Sequence, residues 1–229
     1  MTRRRLGVST TLWAGFLKRW FDILIAVPLL ILISPILLLA AAFILVTSGS
    51  SVFFRQDRVG RHGRIFRAWK FRTMRAGRNA DAVELVPLDH PEITPVGRFL
   101  RRWKIDELPQ LTNVLAGHMS LVGPRPTLPE HVACYDDFRR QRLLVRPGIT
   151  GLAQVNGNTA ISWDERILYD IAYVQRCGFF LDAAIMLRTV VVLFLGESRT
   201  ARRFADSLFA IHVPVPKNYY SSYDPGMGA

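Results

Sequence analysis

The chain has 229 residues, with 30 Lys and Arg against 18 Asp and Glu, and a net charge of +12. An excess of this size points to an anionic partner: a phosphorylated substrate, an anionic lipid surface or nucleic acid. No motif of a nucleic-acid-binding module is present, so phosphate and lipid are the expectation and nucleic acid is not. Cys134 and Cys177 have neither metal nor redox spacing, and the five histidines contain no His-x-x-x-His pair. That argues against a zinc centre and fits a reduced compartment.

From Ile23 to Phe54 the chain carries no charge. This exceeds the roughly 20 apolar residues of a spanning helix and the 7–15 of a signal-peptide core. Both flanks are basic: Arg3, Arg4, Arg5, Lys18 and Arg19 precede the run, and Arg55, Arg58, Arg61 and Arg64 follow it. A spanning helix is expected to have one basic side, so symmetric flanks favour both ends in the cytoplasm. Ser34-Pro35 supplies a place to turn, because proline removes a backbone donor and the serine hydroxyl can satisfy the group set free. A proline-kinked spanning helix is the competing reading.

Beyond the run, Ser51–Arg55 and Ile65–Arg72 have strand content with Gly60 and Gly63 between them, which predicts a β-hairpin. Alternation places Phe66, Ala68, Lys70 and Arg72 on one face, so Lys70 and Arg72 make a phosphate-sized pair of donors or a solvated basic face. Residues 76–95 read as a polar loop. Arg98, Arg101 and Arg102 then share a helical face, as an anion site or as a surface turned to water or lipid.

Asp106-Glu107-Leu108-Pro109-Gln110 opens a helix that ends at Gly117. Acidic residues in a first turn commonly serve the helix terminus. Here they also follow an arginine cluster and precede Pro124-Arg125-Pro126, where two fixed φ angles hold a long cation on a stiff backbone. A carboxylate among arginines stays ionised and can act as nucleophile or magnesium ligand. Arg146-Pro147-Gly148 to Asn156-Gly157 is a turn-rich loop whose backbone can approach a ligand closely or simply make ordinary turns. Helices are predicted from Ser162 through Val174, with Ser162 or Asp164 as cap, over Asp182–Leu195, and over Arg202–Ile211.

In these motifs the chain resembles bacterial sugar transferases of the monotopic phosphoglycosyl transferase superfamily. The resemblance covers roughly Lys18 to Gly196. It rests on Ser34-Pro35, Val52-Phe53-Phe54-Arg55-Gln56, Lys70-Phe71-Arg72-Thr73-Met74, Gly97-Arg98-Phe99-Leu100-Arg101, Asp106-Glu107-Leu108-Pro109-Gln110-Leu111, Ser120 to Pro126, and Arg146 to Gly157. It implies a mainly helical α+β fold: a re-entrant membrane helix broken at Ser34-Pro35 within residues 1–50, a cytosolic catalytic domain over 51–212 with a short β-hairpin and interfacial amphipathic helices, and a loose tail over 213–229.

The implied activity moves a sugar-1-phosphate from a nucleotide sugar, UDP-linked by family expectation, to undecaprenyl phosphate at the cytoplasmic face of the bacterial inner membrane. Asp106 and Glu107 would be the catalytic dyad, with Asp106 as nucleophile and Mg2+ contact. Arg101 would hold the polyprenyl phosphate, and Arg125, Lys70, Arg72 and Arg146 the donor phosphates. Anionic membrane lipid is the expected seat, and self-association is compatible with the sequence. Gly117-His118-Met119-Ser120-Leu121 departs from the Gly-Asp-Met-Ser-Leu of many members, so no carboxylate role carries over to His118. The chain looks like a minimal catalytic form. A basic, membrane-anchored scaffold is the non-enzymatic alternative.

Overall fold

The computed structural model describes residues 13–48, 51–75, 86, 89–216 and 219. Arg3, Arg4 and Arg5, most of the polar loop and most of the tail lie outside them. After an irregular turn over Trp13–Leu17, helix α1 (Lys18–Ser48) runs as one element through Pro28 and Pro35. The sequence reading placed a break at Ser34-Pro35, yet the helix continues, and the local chemistry explains how. Pro35 has no N–H for the carbonyl four residues back, that of Ile31. The Ser34 hydroxyl donates to that carbonyl instead, at 2.8 Å.

Residues 15–47 are long and apolar enough to cross a membrane, and Leu24, Ile31, Leu32, Leu38, Phe43 and Val46 are exposed along them. Both halves of α1 nevertheless touch the same body. Up to Ile33, the residues Ile25, Ala26, Leu29 and Leu30 pack on the main core. From Leu37 onward, Ala40, Ala41 and Ile44 join a second cluster with Phe71, Leu100 and Ile105. The change of partner falls across Ser34-Pro35. Polar ties secure the first half: Lys18 bonds Asp182 at 2.6 Å, Asp22 accepts from the Ser120 hydroxyl and Leu121 N–H, and Arg19 donates to the carbonyls of Val114 and Leu115.

The body begins with the predicted hairpin. Strands β1 (Phe53–Val59) and β2 (Ile65–Phe71) pair antiparallel with Arg55 opposite Trp69. Phe66 and Ala68 face the core as the alternation requires, while Ile65 and Arg67 are exposed. Thr94 caps α2 (Pro95–Arg102) by accepting from Gly97 N–H. Gly97 is needed there, because a Cβ would sit 2.1 Å from the Thr73 carbonyl oxygen. A 3-10 turn (Ile105–Gln110) leads directly into α3 (Leu111–Leu115). Asn113 of α3 accepts from Trp69 N–H and donates to the Arg67 carbonyl, fastening this segment to the free edge of β2.

A second, parallel pair joins β3 (Ser120–Val122) to β4 (Gly148–Thr150), with the short helix α4 (Pro129–Ala133) and a 3-10 segment (Arg139–Leu144) between them. The glycine-rich loop lets backbone approach backbone here: a Cβ on Gly148 would meet Gly123 N at 2.1 Å. Helix α5 (Trp163–Arg176) starts on the predicted Ser162 cap, with Glu165 completing a capping box, and buries Ile167, Leu168, Ile171 and Val174. Helix α6 (Phe179–Leu195) is anchored by Asp182 and Ile185 but exposes Phe180, Leu187, Val190 and Phe194, and is followed by α7 (Glu197–Thr200).

The helix predicted over Arg202–Ile211 is instead two 3-10 turns, Phe204–Asp206 and Ala210–His212. The Tyr169 hydroxyl donates to the carbonyls of Arg202 and Arg203, the acceptors a helix would have used. Val213 and Tyr219, placed by sequence in a loose tail, are buried against the body.

Candidate active site

The dyad lies beside α1. Ile105, which precedes it, packs into the cluster formed by Ala40 and Ile44 of that helix. Lys104 enters the dyad turn in the left-handed region (φ 56°), which costs a non-glycine residue free energy and is characteristic of functional sites. Asp106 and Glu107 are both buried. They do not serve as helix caps, since no side-chain cap bond forms at this terminus.

Their roles are divided by their partners. Arg125 grips Glu107 with both guanidinium arms, Nη1 to Oε2 at 3.0 Å and Nη2 to Oε1, and Lys70 Nζ reaches Oε1 at 2.9 Å. Burial opposes the charge on Glu107, but Arg125 and then Lys70 outweigh it and hold the carboxyl well below its ordinary range. Asp106 is the opposite case. Its Oδ1 is buried without a hydrogen-bond partner. Burial and then the Glu107 charge push its carboxyl up, against the pull of Lys70, Arg101 and Lys104. The pair is therefore one carboxylate fully engaged and one desolvated carboxylate with an oxygen to spare.

Arg101 of α2 turns inward from its helix, with Nε on Thr73 Oγ1 at 2.9 Å and Nη1 on the Val86 carbonyl at 3.2 Å, and its charge is felt by both dyad carboxylates. Its neighbours Arg98 and Arg102 are exposed, beside exposed Phe99 and Trp103. Of the predicted phosphate contacts, Lys70, Arg101 and Arg125 thus converge on the dyad. Arg72 N–H continues the hairpin pairing to the Val52 carbonyl, and Arg146 Nε bonds the Gly117 carbonyl beside Arg61. His118 stacks on Phe66 at 5.8 Å between ring centroids.

Lys104 is a cation the sequence reading passed over. Its Nζ pairs with Glu197 Oε1 at 2.9 Å, and Glu197 also accepts from Asn158 Nδ2 at 2.8 Å and from the Thr159 hydroxyl. Burial works against Glu197, but Lys104 and the bonds from Thr159 and Asn158 bring its carboxyl down to about 2. Asn158 is itself left-handed (φ 43°), so one carboxylate holds two strained residues at the rim of the site.

Hard carboxylate oxygens suit Mg2+, which is commonly held by one or two carboxylates with substrate phosphates and water completing its shell. Asp106 fits that requirement through its unpartnered Oδ1, whereas both oxygens of Glu107 are occupied. No cluster of three or more His, Cys, Asp or Glu that could hold a metal by itself occurs among the described residues.

A helix long and apolar enough to cross a membrane thus lies beside a buried carboxylate with Lys70, Arg101 and Lys104 near it. The model of the bacterial sugar transferase family matches residues 13–196, and the chain belongs to that family. It is 44% identical over 197 residues to an uncharacterized sugar transferase, EpsL, of Bacillus subtilis, covering 83% of this chain and 96% of the relative. It is 42% identical to a UDP-glucose:undecaprenyl-phosphate glucose-1-phosphate transferase of Klebsiella pneumoniae, over 79% of this chain and 41% of the relative. An undecaprenyl-phosphate galactose phosphotransferase of Salmonella typhimurium is 38% identical, over 78% and 40%. The chain thus spans about two fifths of the latter two relatives.

Proposed function

We propose that this enzyme transfers a sugar-1-phosphate from a UDP-sugar to undecaprenyl phosphate at the cytoplasmic face of the inner membrane, as the first step of exopolysaccharide assembly. The observation that carries the reading is Asp106: a desolvated carboxylate with an unpartnered oxygen, flanked by a neighbour fully engaged by Lys70 and Arg125, beside the membrane helix. A scaffold on anionic lipid needs only a basic surface and has no use for a buried dyad.

In the mechanism, an Asp106 carboxylate oxygen bonds to the sugar-bearing phosphorus as the bond from that phosphorus to the bridging oxygen breaks. The nucleoside monophosphate leaves with that electron pair. A phosphate oxygen of undecaprenyl phosphate then attacks the same phosphorus and restores the carboxylate, so neither step needs a net proton. Arg125 and Lys70, held in register by Glu107, orient the donor phosphates, with Arg72 and Arg146 as outer contacts. Arg101, on the helix packed against α1, receives the lipid phosphate. Bound Mg2+, held by Asp106, would neutralise charge on the diphosphate.

The membrane reading is a re-entrant α1 with both ends cytoplasmic, which a continuous helix meets by bending at its internal prolines without breaking, seated on the anionic leaflet by its basic flanks. The packing of both halves on one body supports it, since a helix of about 46 Å crossing the bilayer would carry one half away from that body. In a Cys134→Ser/Cys177→Ser background, cysteines at Gly15 and Arg61 are both expected to react with an impermeant maleimide in inverted vesicles and in neither case in intact spheroplasts. Labelling on opposite sides would restore a spanning helix. For the activity, purified protein given Mg2+, undecaprenyl phosphate and a panel of UDP-sugars should release UMP with at least one of them and lose that activity in EDTA. Release of UDP in place of UMP would sink the reading.

A further inference from the structure

The segment Pro124-Arg125-Pro126-Thr127 presents four consecutive carbonyls, and each is taken by a donor from outside it, two of them from β1. Gly148 N–H donates to Pro124 at 2.9 Å, Arg142 Nη2 to Arg125 at 2.9 Å, Arg58 Nη1 to Pro126 at 3.1 Å, and Val59 N–H to Thr127 at 2.9 Å. Two prolines remove the N–H groups by which such a segment would fix itself, so its position depends on donors from outside.

The donor to Arg125 is unusual. Arg142 is buried, and its fork also binds Asp170 Oδ2 at 2.6 Å and the Tyr135 hydroxyl at 2.7 Å, with its guanidinium 5.6 Å from the centroid of the Trp163 ring. Asp170 comes from the middle of α5 and is as deeply buried, with its other oxygen, Oδ1, lacking a hydrogen-bond partner. Burial pushes the Asp170 carboxyl up to about 6, against the pull of Arg142. A buried ion pair is weak evidence for stability, because the same volume filled by apolar groups is often as good. Its geometry here serves a direction: one arginine arm points to the carboxylate and also to the backbone of the residue that clamps Glu107.

The geometry points to Asp170 and Arg142 as positioning residues that hold Arg125, through its main-chain carbonyl, at the reach and angle its two-armed grip on Glu107 and the donor phosphates requires. This rests on the reading of Arg125 as a site residue. A guanidinium fork is required, since a lysine at 142 cannot hold the carbonyl, the carboxylate and the hydroxyl in one plane. Misplacement of a clamp by a fraction of an ångström costs rate even where the fold is intact.

The test is a double-mutant cycle on UMP release by full-length protein in lipid nanodiscs, with kcat, KM and thermal unfolding measured for Asp170→Asn and Arg142→Lys, each in the parent and in Arg125→Ala. Each substitution is expected to lower kcat/KM about tenfold in the parent and less than twofold in Arg125→Ala. A tenfold loss that persists without Arg125, or no loss in the parent from either variant, overturns the positioning role. Arg125→Ala at parental activity would instead overturn the placement of Arg125 in the site. If Asp170→Asn does not fold, Arg142→Lys, which keeps the buried charge balance, decides the matter by the same comparison.

Discussion

Asp106→Asn is expected to reduce UMP release by at least about a thousandfold while leaving the protein folded. The amide keeps the size of the carboxylate and removes both its charge and its nucleophilicity. Little structural depends on that charge, since Oδ1 has no hydrogen-bond partner and the surrounding cations have other partners: Lys70 has Glu107, Lys104 has Glu197, and Arg101 has the Thr73 hydroxyl and the Val86 carbonyl. Unfolding should therefore shift little, and removing a charge that burial and Glu107 disfavour can even stabilise. Intact-mass spectra of the parent, taken after UDP-sugar is added without lipid acceptor, should carry a phosphosugar adduct that Asp106→Asn lacks. An adduct in the variant, or unchanged turnover, would move the nucleophile elsewhere. Glu107 is a poor substitute, because its lone pairs are committed to Arg125 and Lys70.

Why the dyad was legible in sequence, and its setting less so, follows from how each is encoded. Asp106 and Glu107 are adjacent, sit between an arginine cluster and a proline-framed arginine, and occupy one turn; contiguous residues need no tertiary information. Lys70 was readable from strand alternation, which correctly set it on the inward face. Arg72 stands on the same face by that rule, and its N–H carries the pairing on to the Val52 carbonyl past the strand's end at Phe71.

Lys104, Arg58 and the Arg142–Asp170 pair were not legible. Their meaning depends on partners up to 93 positions away, as in Lys104 with Glu197, and a buried arginine has the same letter as the surface arginines that dominate this basic chain. The glycine-rich loop reads equally as an approach to ligand or as ordinary turns, and Gly148 in it lets β3 and β4 meet; sequence marks close approach without saying to what. Pro35 illustrates a different limit. Its cost to a helix is offset by the Ser34 hydroxyl on the Ile31 carbonyl, so a residue pair read as a break is accommodated within a continuous helix.

Glu107→Gln is expected to lower turnover about a hundredfold and to move the whole pH–rate profile toward acid. The loss of rate follows from the clamp: a neutral amide can neither pair with Lys70 nor accept two arms of Arg125, so both cations lose the register in which they would meet a diphosphate. The shift has a definite sign on each limb. The acid limb reports Asp106, whose carboxyl is pushed up by burial and then by the charge of Glu107; removing that charge lets the carboxyl ionise at lower pH. The basic limb reports Lys70, which burial pulls down and Glu107 holds up against Arg125 and Arg58; without Glu107 the ammonium gives up its proton at lower pH. Both limbs therefore travel the same way, whereas a variant that merely loosened the fold would lower the plateau and leave its edges in place. Measuring kcat/KM for UMP release from pH 5 to 10 in parent and variant separates the two, and limbs that stay put would mean that Glu107 does not share a field with Asp106 and Lys70.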